Sequence, residues 1–443
     1  MTRPGARGKV AFLFLGETLL IPHLYPIVEA LAATSDVPIE LWVSTSVHET
    51  LLTRWTAPFP TVRIRQAPGF SVVADDGSGR NPVLPAKIPI LLRLLPYLRS
   101  ATIVVCAEQT SLWLPRLFPM RAKFVKTSHG VGSMSARDDP RRRAAALTLV
   151  PSELERQTYL DRGFAPERFV ATGYVKADFT HRTHAAPPFG DTRPVVLYTP
   201  HWQQHRSSWW RWGAEVVRRI VADGRYNLIF APHQRLVEKA PEVADLMREI
   251  GDLAHVHCDI DGFAMVDGSY TGVADVYLGD TSSQVIEFLM RPRPCVFLNA
   301  GAAVWEGDPN YVMWGCGEVV DEVADVVAAV DRAALMHAEY VKIQVEFAGQ
   351  SLGAVEGARL GLRGDSSTAG GHASPLSLHH PGGGRGPVGG RRQRRTARGY
   401  SGRSNWAPAF AGVVAIGVVQ SWWAGRYAPR PIPRPSRFHD QIG

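Results

Sequence analysis

The feature that most constrains this chain is an alternation of short apolar runs with helical patterns, which passes once through residues 10–172 and restarts at Val195. In the first pass the runs are Val10–Leu15, Ile39–Val43, Val62–Ile64, Ile103–Cys106, Phe124–Lys126, Leu147–Val150 and Phe169–Thr172. Helical patterns such as Ile27–Ala33, Ile88–Leu98 and Glu153–Arg162 separate them. In the second pass the runs are Val195–Tyr198, Asn227–Phe230, His255–Cys258, Val276–Leu278 and Val296–Leu298. Helices are expected between them over Ala214–Asp223 and Ala240–Ile250, and a terminal helical segment from Val319 to about Phe347. Short strands alternating with helices predict a parallel sheet with helices on its faces. The fold class is therefore α/β: two Rossmann-like, doubly wound domains facing across a cleft, with ligands at the carboxyl ends of the strands.

The polar, Pro-containing stretch His181–Pro194 lacks periodicity and reads as a linker. This gives an N-terminal domain over 1–180, a linker over 181–194, a C-terminal domain over 195–350 and a tail over 351–443. The basic balance of +8 belongs to the tail: residues 351–443 hold 13 Lys+Arg against 3 Asp+Glu, leaving 36 and 38 for residues 1–350. The tail is rich in Gly, Pro and Arg, with no Lys, and cannot bury enough apolar surface to offset its ordering entropy. It reads as disordered or as an out-of-frame translation. Its apolar stretch Ala407–Trp423 sits at the lower length limit of a membrane span and carries Gly412, Gly417 and Gln420. Arg391, Arg392, Arg394 and Arg395 raise a nucleic-acid arm as a weaker alternative, so no nucleic-acid partner is expected.

Cys106, Cys258, Cys295 and Cys316 are widely spaced, with no CxxC, and read as reduced thiols of a cytoplasmic protein. The N-terminal apolar run is interrupted at Gly16 and Glu17, which suits a strand–loop–helix opening better than a signal peptide.

The candidate chemistry lies where strands end. Asp275–Met290 runs from a strand through Gly279, Asp280, Thr281, Ser282 and Ser283 into a helix bearing Val285, Phe288 and Leu289. Thr281 and Gln284 have capping-box spacing, and a helix start lined by hydroxyls suits a phosphate. Simple capping of a structural helix is the alternative. His129 follows a strand, between Ser128 and Gly130, where an imidazole suits a general base. His233 ends another strand, with Arg235 two residues on. Either His can instead be a turn residue, but both together, one per domain, point into one cleft. Lys176 is a candidate phosphate partner against a solvated lysine, and His201 with Trp202 offers nucleotide or acceptor contacts against core packing. The run Arg141–Arg143 reads as a solvated face, with contact to an anionic acceptor or membrane surface as the alternative. No carboxylate cluster demands a metal, and no cofactor is expected.

In order, TSHG (Thr127–Gly130), ALTLVPSELERQTYLDRGFAPERFVATGYVKAD (Ala146–Asp178), VVLYTPHW (Val195–Trp202), LIFAPHQ (Leu228–Gln234) and ADVYLGDTSSQVIEFLMRPRPCVFLNA (Ala274–Ala300) resemble the CDP-glycerol glycerophosphotransferase family of teichoic-acid-type polymer synthesis. The resemblance implies a GT-B fold, with His129 and His233 catalytic and Asp280, Ser282 and Ser283 holding the donor's phosphates. The chain departs from the family's blocks at Ser128, Gln234, Thr281 and Val175-Lys176-Ala177. The implied activity is transfer of a glycerophosphate group from a CDP-activated donor to a hydroxyl acceptor, lipid-linked in the family, at the cytoplasmic membrane face. Any membrane contact would be peripheral. The rival expectation on the same fold is a sugar-nucleotide enzyme, a glycosyltransferase or UDP-N-acetylglucosamine 2-epimerase, which breaks a sugar C–O bond.

Overall fold

The computed structural model describes residues 8–75, 77–131 and 139–353. The first sheet is built from β1 (Lys9–Phe14), β2 (Ile39–Thr45), β3 (Val62–Ser71), β4 (Ala101–Cys106), β5 (Lys123–Thr127), β6 (Leu147–Val150) and β7 (Phe169–Ala171). Its order is β3-β2-β1-β4-β5-β6-β7 and every pairing is parallel, with Phe12 set between Leu41 and Val105. Parallel strands need a crossover between them. Here the crossovers carry α1 (Tyr25–Thr34), α2 (Ser46–Thr56), α3 (Lys87–Leu98), α4 (Trp113–Leu117) and α5 (Glu153–Asp161). Phe12, Val43 and Val105 pack with Tyr25, Val28 and Leu52 on one face, and Leu13, Val104 and Phe124 with Leu91, Leu94 and Leu98 on the other.

The second sheet repeats the plan with β8 (Val195–Tyr198), β9 (Asn227–Phe230), β10 (Val256–Cys258), β11 (Val276–Gly279), β12 (Cys295–Leu298) and β13 (Glu318–Val320). Its order is β10-β9-β8-β11-β12-β13, again all parallel. Its helices are α6 (Ala214–Asp223), α7 (Gln234–Lys239), α8 (Glu242–Ile250), α9 (Ser269–Val273), α10 (Ser283–Phe288) and α11 (Val326–Leu352). The expected terminal helix is thus preceded by an edge strand: Glu318–Val320 pairs with Val296–Leu298 before α11 begins. Its three residues carry too little pattern to separate from the helix by sequence.

In both sheets the direction of winding reverses beside the first strand, between β1 and β4 and between β8 and β11. Loops diverge there and leave a crevice at the strands' carboxyl ends. The halves meet through the loop Ser78–Asn81: Phe263 N donates to Ser78 O (3.0 Å), Asn81 N to Asp261 O (3.2 Å), and Arg80 pairs with Asp261 (3.1 Å). The last turn of α11 returns to the first half, where Leu352 O accepts from Tyr174 N at 3.0 Å. Trp55 of α2 lies 5.8 Å from Phe263 and stacks on His181 at 4.8 Å.

The run Arg141–Arg143 is a solvated face only at Arg143. Arg141 is bound to Asp139, Arg142 is 7% exposed and lies 4.9 Å over the Tyr159 ring, and Arg143 covers Phe164 at 4.4 Å. The aromatic partners sit on α5 and the loop after it, beyond the reach of a local charge count. The tail residues 354–443, with Ala407–Trp423 and the Arg391–Arg395 cluster, lie outside the described residues. Among the described residues no helix is long and apolar enough to cross a membrane.

Candidate active site

Four strand ends supply the cleft of the second half. After β8 the chain turns at Thr199 and Pro200 to His201; after β9 it turns at Ala231 and Pro232 to His233. The two imidazoles lie 5.9 Å apart, with Trp202 stacked on His201 at 5.9 Å. His233 caps α7: its Nδ1 accepts from Arg235 N at 3.1 Å. His201 Nδ1 accepts from Gln203 N at 3.1 Å. A backbone N–H can only donate, so in both rings Nδ1 is bare and the proton sits on Nε2. Burial holds both rings neutral, with His201 pulled down to about 3, helped by His233, Arg206 and His205, and His233 to about 4, helped by Arg235. They are neutral donors rather than bases. Arg235 and Lys239 stand over Trp202 at 5.4 and 4.4 Å, and Arg235 reaches Glu17 of the first half at 3.4 Å.

The stretch Asp280–Ser283 splits into separate tasks. Asp280 is 1% exposed and turns under the loop: its carboxylate accepts from His201 N (2.8 Å) and Ser208 N (2.9 Å). Burial raises it to about 6, opposed by those donors. Thr281 is buried, and among the described residues its hydroxyl has no hydrogen-bond partner. The cap of α10 is Ser282, accepting from Gln284 N at 3.2 Å, rather than the expected Thr281. Ser283 is exposed at the first turn. Of the four, Ser282 and Ser283 are the ones facing outward from the strand end.

Lys176 is not solvated. Its Nζ donates to Glu287 Oε2 of α10 at 2.7 Å, and Tyr174 Oη donates to Glu287 Oε1 at 2.6 Å. Both ion-pair side chains are about one-tenth exposed, so the lysine's charge is spent on clamping α10 to the first half. His129 is exposed at the end of β5, with Gly130 beside it half-buried. Beneath it lies a charged floor: Lys126 is fully buried, its Nζ donating to Ala107 O (2.6 Å) and Thr127 O, and burial, then Arg142, lowers it to about 7. His23, 3% exposed, is pushed well below the usual imidazole range by burial, then by Lys176, His129 and Lys126. His129, Lys126, Lys176 and His23 therefore share one electrostatic neighbourhood, while His201, His233 and Arg235 form another.

A cavity of about 530 Å³ opens beside the second group, bounded by the loop Gln204–Ser207, the π-helical turn Trp209–Gly213, and the loop after β12. Arg206, Trp210, Arg211, Asn299, Tyr311 and Trp314 line it. None of these was singled out by sequence. The one local signal is the run SSWWRWG, because three tryptophans beside a cation within five residues exceed what one helix face can bury. Gly213 is fixed by this packing: a Cβ there would meet the Trp209 ring at 2.2 Å.

No protein-family model matches the sequence, and no curated protein matches it. Solved structures do match. The UDP-N-acetylglucosamine 2-epimerase of Neisseria meningitidis, bound to UDP-N-acetylglucosamine, superimposes with a TM-score of 0.52 at 13% identity, over 80% of this chain and 98% of that one. The Staphylococcus aureus protein MnaA, solved with UDP, gives 0.54 at 16% over 80% and 94%. A further UDP-N-acetylglucosamine 2-epimerase gives 0.52 at 13% over 80% and 94%. These findings correct the expected membership of the CDP-glycerol glycerophosphotransferase family, and with it the CDP-activated donor and glycerophosphate transfer in teichoic-acid synthesis. Four of the five blocks that carried the resemblance are strand ends followed by His or by Asp-x-Ser-Ser. Doubly wound domains place their ligand loops at such strand ends whatever the ligand, so the position of these blocks reports the fold and not the donor. The chain has the two-domain, GT-B-like fold of the UDP-N-acetylglucosamine 2-epimerases.

Proposed function

We propose that this chain is an enzyme acting on a UDP-activated sugar, at the C–O bond that joins the sugar to the diphosphate or at the carbon beside it. The observation that carries the reading is the pair His201 and His233, two neutral imidazoles 5.9 Å apart whose Nδ1 atoms are both occupied by backbone N–H groups. Each has an Nε2–H left to give. With Arg235 and the hydroxyls of Ser282 and Ser283 they form a set of donors with one cation, suited to a diphosphate that gains charge as it leaves. Pre-set donors need no reorientation at the moment of reaction, because Asp280 fixes the His201 backbone and the cap of α7 fixes His233. His129, exposed at the end of β5 in the other half, is assigned the proton transfer on the sugar. The fold shared with structures that hold UDP or UDP-N-acetylglucosamine supports the uridine base.

Calorimetry on the intact chain tests this. UDP and UDP-N-acetylglucosamine should bind, CDP-glycerol should bind at least about tenfold more weakly, and His201→Ala or His233→Ala should weaken UDP about tenfold through loss of a donor to a charged group. Equal or better binding of the cytidine ligand overturns the reading. Products of incubation with UDP-N-acetylglucosamine, resolved by NMR, then separate an epimer from free UDP.

A further inference from the structure

The cavity beside His201 has a composition that the phosphate-binding role does not use. Its volume of about 530 Å³ lies within the range of small-molecule sites, roughly 300–1,000 Å³. Tyr311 and Trp314 pack together at 4.5 Å on its floor, and Trp210 faces it from the π-helical turn. Flat aromatic faces of this kind pack against the C–H faces of a sugar ring. Two guanidinium groups also reach it. Arg206 bonds only the neutral Asn310 Oδ1 (3.5 Å) and Arg211 only the backbone Ala300 O (2.9 Å), so among the described residues neither cation has a counter-charge. No lining residue is acidic. Asp308, in the loop after β12, is held by Asn310 N (2.8 Å) and Nδ2 (2.9 Å).

The cavity and the phosphate site share a wall. Asp280 accepts from His201 N at one end of the loop and from Ser208 N at the other, so one buried carboxylate holds both faces in register. The opposite wall is equally fixed. Asn299 accepts from Ala303 N (2.7 Å) and donates to Ala303 O (3.1 Å) and Asp321 (2.7 Å), which keeps Ala302 at φ 51, in the left-handed region. Among the described residues no other side-chain-bearing residue has a positive φ. Such a conformation persists where its surroundings over-determine it, and these clamps do so at the rim of a cavity.

We propose that this cavity is the sugar subsite and that it selects an acidic sugar, with the aromatic floor carrying the ring and Arg206 and Arg211 binding a carboxylate on it. The inference rests on the nucleotide-sugar reading above and narrows its substrate class to UDP-uronates. Arginine suits the task because its planar fork meets a carboxylate with two parallel hydrogen bonds.

The test compares the affinities of UDP, UDP-N-acetylglucosamine and UDP-glucuronic acid for the intact chain and for Arg206→Gln, Arg211→Gln and Trp210→Ala. UDP-glucuronic acid should bind about tenfold or more tightly than UDP-N-acetylglucosamine, as expected for a charge-assisted bidentate pair. Either arginine variant should reduce that preference to about threefold or less while UDP affinity stays within about twofold, which also reports that the variant is folded. Trp210→Ala should weaken both sugar nucleotides but not UDP. UDP binding without a preference for the acidic sugar, or a preference untouched by both arginine variants, overturns this inference alone. Absence of UDP binding overturns the nucleotide reading and this inference with it.

Discussion

The Glu287 clamp gives the sharpest consequence, because it reassigns a lysine that the sequence offers as a phosphate ligand. Glu287 accepts from Tyr174 Oη and Lys176 Nζ, one on each oxygen, and both members of the ion pair are about nine-tenths buried. Glu287→Gln leaves one acceptor oxygen for two donors and no counter-charge for Lys176. Removing one partner of a buried pair costs about 3–5 kcal/mol, and residual exposure places this case near about 3 kcal/mol. Lys176→Ala should cost a similar amount by leaving the carboxylate unpaired. Lys176→Met with Glu287→Leu should cost at least about 1.5 kcal/mol less than the sum of Lys176→Met and Glu287→Leu made singly, since each single loss counts the same pair. Urea unfolding followed by tryptophan fluorescence measures these values, with UDP affinity measured on the same samples. Lys176→Ala should keep UDP affinity within about twofold. A Lys176→Ala variant as stable as the parent but binding UDP more than about tenfold more weakly would refute the clamp and return the lysine to the ligand.

Two further predictions concern titration. Lys126 is lowered to about 7 by burial and by Arg142, while an unfolded lysine titrates near its ordinary, higher value. Between those values the unfolded chain binds the extra proton, so stability rises with pH; below the folded value both states are protonated and the full cost of burying the cation is present. Relative to Lys126→Met, the parent should therefore gain about 2 kcal/mol from pH 7 to pH 9 at 1.36 kcal/mol per unit, read from urea midpoints, and parallel pH profiles would dismiss the buried-lysine account. Because His201 and His233 are neutral with titration near 3 and 4, and Asp280, which braces His201, is raised only to about 6, UDP-N-acetylglucosamine affinity should vary by less than about threefold from pH 6.5 to 8. A tenfold strengthening with a midpoint near the ordinary imidazole value would show instead that a protonated histidine holds the diphosphate.

Much of the architecture is written locally. Apolar runs such as Val195–Tyr198 and Asn227–Phe230 are buried throughout, and their spacing by helices leaves parallel pairing as the arrangement that satisfies their backbones. Strand ends are legible for the same reason, which is why His201, His233 and Asp280 could be located before any partner was known. What each does there was not legible. Asp280 differs from a phosphate-binding residue only in pointing under the loop to Ser208, 72 positions away in the chain, and Lys176 differs from a solvated lysine only in meeting Glu287, 111 positions on. Arg142 looks like a surface charge until α5 places Tyr159 beneath it.

The sequence by itself determined two doubly wound α/β domains and the list of polar residues at their strand ends, since these follow from short-range periodicity and turn chemistry. It misnamed the donor, because most of the blocks that suggested one lie at strand ends, where this fold places its ligand loops whatever the donor. The tertiary structure decided the rest: which imidazoles are neutral donors, which carboxylate is a brace, which lysine is spent on a clamp, and that Arg206, Trp210, Tyr311 and Trp314 enclose one cavity. The physical reason is that protonation, burial and cavity shape depend on groups brought together from distant positions, and no local pattern encodes which groups those are.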